Sequence, residues 1–331
     1  MDCCPVVFEP RYVSKIWGGR RLETWAGRRL PPGQNIGESW ECADLPGFSS
    51  AVSRGPMRGR TLQDLLACWG ADLLGDAAPV DQRFPLLIKF LDAAADLSIQ
   101  VHPGEGTSGH GGHPSAVKHE AWYVLQAEPA ASIYRGLASG VTVDSLRGAW
   151  AADPARVVGC LQRIPAGVGD TFYLPGGTPH ALGAGLLVAE VQTPSDVTYR
   201  LYDWGRTRPA HDAGLHRDEA LACIRPNPDF AAAELNTPLP GPFAATVRRI
   251  ACPCFTLDEC RHPEGETVAF SPGRMRCWVF ISGHCEIGWG AGNSQPCAVG
   301  EVVLWPAAVL RPWIRPHRAC RWLEISVPAN R

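Results

Sequence analysis

Apolar residues in this chain come in short runs, and glycine or proline cuts them at strand length. The sequence holds 35 glycines and 30 prolines in 331 residues, with no repeat period. Short apolar runs closed by turn residues predict a chain built mainly of β-strands. At this length it can bury one large core or two fused smaller ones. None of the runs approaches the 18 or so residues of a membrane span, and the formal net charge is only −2. Neither a membrane nor nucleic acid is therefore expected as a partner. Met-Asp-Cys-Cys-Pro at the start lacks the charged and apolar regions of a signal peptide, so a cytoplasmic protein is expected. The 13 cysteines are odd in number and scattered, which argues for free thiols rather than a disulfide framework. Cys252, Cys254, Cys260 and His262 form one cluster, but a one-residue gap between the first two is tight for structural zinc.

The residues that carry chemistry lie in three short segments. Gln100 and His102 lie in Asp96-Leu-Ser-Ile-Gln-Val-His-Pro103, Glu120 in Lys118-His-Glu-Ala-Trp-Tyr-Val-Leu125, and His180 closes Gly169-Asp-Thr-Phe-Tyr-Leu-Pro-Gly-Gly-Thr-Pro-His180. Two imidazoles, a carboxylate and an amide oxygen suit a borderline divalent ion such as zinc. Strand alternation supplies an independent argument. Ser98, Gln100 and His102 share one face, and Lys118, Glu120 and Trp122 share another. Polar residues on inward faces are costly unless a metal, ligand or water satisfies them. Of the 31 basic residues only Lys15, Lys89 and Lys118 are lysines, and Lys118 lies two residues before a candidate ligand. A metal neighbour there would tune its pKa.

The rest of the chain is read more coarsely. Thr61 is a candidate N-cap for a helix through Leu62, Leu65, Leu66 and Trp69. Phe84 to Leu91 reads as a buried strand, and a dense β region runs to about Arg206. Asp212 to Ile224 reads as a helical link with Leu215, Ala220 and Leu221 inward, and strands return after Pro242. Gly169-Asp-Thr-Phe-Tyr-Leu-Pro175 is echoed by Gly300-Glu-Val-Val-Leu-Trp-Pro306, and only the first run continues to a histidine. The echo predicts two related barrels, with the metal site kept in the first.

The spacing Gly169-x5-Pro175-x-Gly177-x2-His180 is that of the second cupin motif. Residues 85–206 resemble the type I mannose-6-phosphate isomerases, also called phosphomannose isomerases, of the short bacterial form. The resemblance rests on Pro85-Leu-Leu-Ile-Lys-Phe-Leu-Asp-Ala-Ala, Leu97-Ser-Ile-Gln-Val-His-Pro103, Lys118-x-Glu120-x-Trp-Tyr-Val-Leu125, Gly176-Gly-Thr-Pro-His-Ala-Leu182 and Glu190-Val-Gln-Thr-Pro-Ser-Asp-Val-Thr-Tyr-Arg-Leu-Tyr-Asp203. It implies two cupin-type (jelly-roll) β-barrels with a few short helices. Residues 1–210 would form the amino-terminal segment and catalytic barrel, 211–240 a helical linker, and 241–331 a degenerate, metal-free barrel. It further implies one Zn2+ per chain on Gln100, His102, Glu120 and His180, and interconversion of mannose 6-phosphate and fructose 6-phosphate through a cis-enediol. Lys118 and Arg200 would serve as catalytic and substrate-binding residues, with Ser98 as a substrate contact. The expected partner is a small sugar phosphate, and the expected state a monomer.

One segment departs from the family pattern. After Pro103 the chain runs Gly-Glu-Gly-Thr-Ser-Gly-His-Gly-Gly-His-Pro-Ser115, which leaves His110 and His113 in a glycine-rich loop beside the site. This leaves open an isomerase of another sugar phosphate, or a silent sugar-phosphate sensor. A cupin dioxygenase fits less well, because a glutamine ligand and the Lys-x-Glu pair speak for isomerisation.

Overall fold

The computed structural model describes residues 2–106, 117–207, 214–225 and 227–329. The chain is mainly β, with a few short helices, as its punctuation predicts. Three sheets carry the architecture. A six-stranded sheet runs in the order Thr171–Leu174, Glu120–Ala127, Leu186–Gln192, Leu87–Ala93, Arg11–Gly19, Ile36–Cys42. A five-stranded sheet runs Leu161–Pro165, Ser132–Leu137, His180–Leu182, Ile99–Val101, Tyr199–Tyr202. The third, nine-stranded, is built mostly from the carboxy-terminal third and takes in Val6–Val7, which pair with Leu304 and Val303.

Alternation along the strands explains how these sheets stack. On Glu120–Ala127, Trp122 and Val124 join Leu91, Val188, Ile133 and Leu182 in a core between the six- and five-stranded sheets. Ala121, Tyr123 and Leu125 point the other way, with Phe90, Ala189 and Val191, onto Val279, Leu304, Leu323 and Ile325 of the nine-stranded sheet. One face of the five-stranded sheet thus closes the site, while Ile99, Val101, Ala181 and Leu201 on its other face pack against Leu146, Ala220 and Leu221 of the helices. Both faces of the central strands Leu87–Ala93 and Leu186–Gln192 are buried, so these two read as near-continuous apolar runs.

The helices bear out part of the sequence reading. Thr61 caps Leu62–Trp69: its side chain accepts from the Asp64 amide, and Asp64 answers to the Thr61 amide. Losing such a cap costs about 1 kcal/mol, so Thr61→Ala should unfold at measurably lower urea concentration with an unchanged slope. The linking helix is shorter than expected, Arg217–Cys223. Leu215 lies before it and is 43% exposed rather than inward. All 13 cysteines are free, and Trp17 is buried in the core. Among the described residues no helix is long and apolar enough to cross a membrane.

Candidate active site

The six- and five-stranded sheets each bring a polar row to the cavity between them. In the five-stranded sheet His180, Gln100 and Arg200 lie side by side across three strands, since Gln100 is the register partner of both His180 and Arg200. In the six-stranded sheet Glu120 opens its strand opposite Leu174 and Gln192. Backbone contact locks the segments that carry the two histidines. The Gly177 amide donates to the His102 carbonyl at 2.8 Å. A Cβ on Gly176 would stand 2.4 Å from the Pro103 carbonyl oxygen, so no larger residue fits that crossing.

His102, Glu120 and His180 are all buried, and their ligand atoms lie within 4.8 Å of one another. His102 Nε2 is 3.2 Å from Glu120 Oε1, and His180 Nε2 is 3.4 Å from Oε2. The opposite ring nitrogens fix the tautomers. Nδ1 of His102 meets the Val197 carbonyl at 2.9 Å, and Nδ1 of His180 meets the Thr178 carbonyl at 2.8 Å. A carbonyl only accepts, so each Nδ1 carries a proton, which in the neutral ring leaves the Nε2 lone pair to face the cavity. Burial, with Lys118 adding to it, pushes His102 down to about 4 despite the nearby Glu120 carboxylate, which keeps the ring neutral. Burial opposes the charged form of Glu120 as well, but the Lys118 ammonium beside it helps hold its carboxyl well below the usual range. Two Nε2 atoms thus face a carboxylate, and His102 Nε2 and Glu120 Oε2 have no hydrogen-bond partner. Buried acceptors converging without a proton between them are what a cation would satisfy, and this donor set suits a divalent metal.

The remaining sequence candidates fall around that centre. Gln100 Nε2 sits 3.3 Å from His180 Nε2 and its Oε1 lies 3.5 Å from the Ser98 hydroxyl. A half-turn of the amide would put its oxygen among the other donors, and the two ends of an amide are nearly isosteric. Lys118 Nζ is 2.8 Å from Glu120 Oε1. Arg200 holds its place through Nη1, which donates to the Gly214 carbonyl at 3.2 Å. His119, on the opposite face, turns away to Glu105 and the Tyr173 hydroxyl. His110 and His113 lie outside the described residues. Cys252, Cys254, Cys260 and His262 do not converge; the group at His102 is the one such cluster among the described residues.

Sequence reasoning left Lys89 ambiguous and passed over Glu38 and Glu190 as functional groups. Lys89 is buried between them, 3.3 Å from Glu190 and 3.8 Å from Glu38. Glu190 accepts from the Trp122 indole at 2.9 Å. The signal was present: Lys89 and Glu190 are register partners on the inward face, a step deeper than the ligands.

Comparisons with known proteins place the chain in a family. Residues 6–124 match the family described as phosphomannose isomerase type I, catalytic domain. A probable mannose-6-phosphate isomerase, GmuF, from Bacillus subtilis is 35% identical over 224 residues, covering 66% of this chain and 68% of that protein. Mannose-6-phosphate isomerase ManA from the same organism is 37% identical over 213 residues, covering 61% of this chain and 62% of that protein. The crystal structure of the mannose 6-phosphate isomerase from Bacillus subtilis superposes with a TM-score of 0.85 at 26% identity, over 98% of this chain and 99% of that one. With this site on this fold, the chain belongs to the type I phosphomannose isomerases, a family of aldose–ketose isomerases.

Proposed function

We propose that this protein is a zinc-dependent isomerase that interconverts mannose 6-phosphate and fructose 6-phosphate through a cis-enediol. The observation that carries the reading is the convergence of the His102 and His180 Nε2 atoms on the buried Glu120 carboxylate. His102, Glu120 and His180 would hold the ion, with the Gln100 oxygen as fourth donor. Bound there, zinc would supply Lewis-acid stabilisation of the negative charge that develops on the sugar oxygens.

The chain's own residues supply the rest. Aldose–ketose isomerisation moves a proton between C1 and C2, and the charge on O1 and O2 peaks at the enediol stage. Lys118 reaches the site from the Glu120 side, and Arg200 flanks Gln100 from the far edge. The open-chain sugar lies between them in this reading. A guanidinium matches a phosphate or enediolate in two-point contact, so Arg200 is assigned to charge on the substrate. Lys118 is assigned to proton transfer or to the adjacent oxygen, and Ser98 to orienting the Gln100 amide and the substrate. The buried floor of Trp122, Leu174 and Val188 excludes water from the reacting carbons.

The test is conversion of mannose 6-phosphate by the purified protein, before chelation, after it, and after zinc is returned. Loss and recovery of turnover are expected to follow the zinc content. A folded, zinc-loaded protein without turnover would remove the isomerase reading.

A further inference from the structure

The carboxy-terminal sheet repeats the six-stranded sheet register for register. Gly169 and Gly300 both take positive φ and lead into Thr171–Leu174 and Val302–Trp305. Leu174 stands opposite Glu120, and Trp305 stands opposite Arg276. Trp122 is the partner of Glu190, and Trp278 of Glu324. Each indole donates to its glutamate, at 2.9 Å in the first half and 2.8 Å in the second. The match continues outward: Lys89 lies opposite Glu190 and Asp258 opposite Glu324, then Trp40 opposite Lys89 and Arg248 opposite Asp258.

Arg276 therefore stands where Glu120 stands in the first half. Deeper in, Trp305, Trp322 and Phe280 occupy the places of Leu174, Val188 and Val124, and they fill the interior. At the mouth the space is open. A cavity of about 800 Å³ is lined by Arg248, Asp258, Arg276, Glu324, Phe243 and Phe270, among others. A cation in place of the ligand carboxylate excludes a metal. An anion would have to compete for the Arg248 and Arg276 guanidiniums, which are already engaged. Arg248 makes a two-point pair with Asp258. Arg276 lies 3.7 Å from Glu324 and donates to the Ser271 carbonyl at 3.1 Å. Formal charge around the cavity cancels, with Arg248, Arg274 and Arg276 set against Asp76, Asp258 and Glu324.

Fixed donors and acceptors without net charge, set beside the half-buried Phe243 ring, match a ligand with hydroxyl groups and an apolar C–H face. We propose that this cavity is a second, metal-free sugar site that takes a neutral hexose or a short oligosaccharide of one. It stands apart from the catalytic cavity and does not depend on turnover there.

The test is isothermal titration of the full-length protein with D-mannose and mannobiose. It is run on wild type, on His180→Ala, and on the carboxy-terminal sheet variants Arg276→Gln and Phe243→Ala. Binding should persist in His180→Ala and weaken about tenfold or more in both of those variants. In 15N-indole spectra of wild-type protein the Trp278 resonance should shift on sugar addition, a readout that needs no substitution at the site. Absence of binding at tens of millimolar sugar overturns the proposal. So does binding that vanishes in His180→Ala while Trp278 stays unmoved, because the sugar then occupies the catalytic cavity alone. Inorganic phosphate binding to His180→Ala with a Trp278 shift, and no response to sugar, would overturn the neutral class.

Discussion

Glu120→Ala is expected to purify without bound metal and to lose turnover by on the order of 10³-fold or more. Zinc added in excess should restore little, because the loss extends beyond one ligand. Glu120 is the group on which His102, His180 and Lys118 converge, at 3.2, 3.4 and 2.8 Å. Without it the Lys118 ammonium, 5% exposed at its side chain, keeps its burial and loses this counter-charge. Breaking a buried pair in this way costs about 3–5 kcal/mol, so the variant should also unfold at lower denaturant concentration. Glu120→Gln separates the two effects, since it keeps the volume and removes the charge. Metal content measured by plasma mass spectrometry, activity and urea denaturation are read together on the same preparations. A Glu120→Ala protein with stoichiometric metal and wild-type turnover would refute the ligand assignment.

How much of this site was legible from sequence depends on what each residue needs. Gln100, His102 and Glu120 were legible because strand alternation puts chemistry on a face, a local property of the chain, and His180 because it closes the run that starts at Gly169. The Thr61 cap was legible for the same reason, since its partner lies three residues away. The cysteine cluster at 252–262 was rightly set aside, because the spacing of its thiols was wrong. Lys89 was harder. Its meaning comes from Glu38 and Glu190 on two neighbouring strands, and pairing between distant segments is not encoded locally. The repeat was legible only as seven residues of echo, whereas the structure carries it through the register of five strands in each half. Side-chain identity diverged between the halves, as at Glu120 and Arg276, while backbone pairing did not. The start of the linking helix was misjudged at Leu215, where no capping residue marks the boundary: His216 makes no side-chain cap bond.

The second large effect is expected at Lys89, from electrostatics deeper than the ligands. Lys89→Met keeps roughly the length of the side chain and removes the charge between two buried carboxylates. It should destabilise the metal-free protein by about 3–5 kcal/mol near neutral pH. Burial raises the Glu38 carboxyl, but Lys89 and Lys15 outweigh it and hold it at about 2. Its folded value thus lies below its unfolded one, so its contribution is present above about pH 4.5 and is lost as pH falls toward 2. Glu190 is shifted the other way, raised by burial and by Glu120 against the pull of Lys89. Removing Lys89 leaves Glu38 with the partly exposed Lys15, 2.8 Å away, as its cationic partner, and leaves Glu190 without its 3.3 Å partner. Both carboxyls should then take up protons at higher pH in the variant than in the wild type. Protonation relieves the burial of an unpaired charge, so the stability gap between the two proteins should narrow as pH falls from about 7.5 to about 5. Urea denaturation of both metal-free proteins across that range measures the gap directly. A gap that is small at neutral pH, or that does not change with acidification, would mean the two glutamates find other compensation. Lys89 would then be a spacer rather than the charge that permits Glu38 and Glu190 to lie buried beneath the proposed metal ligands.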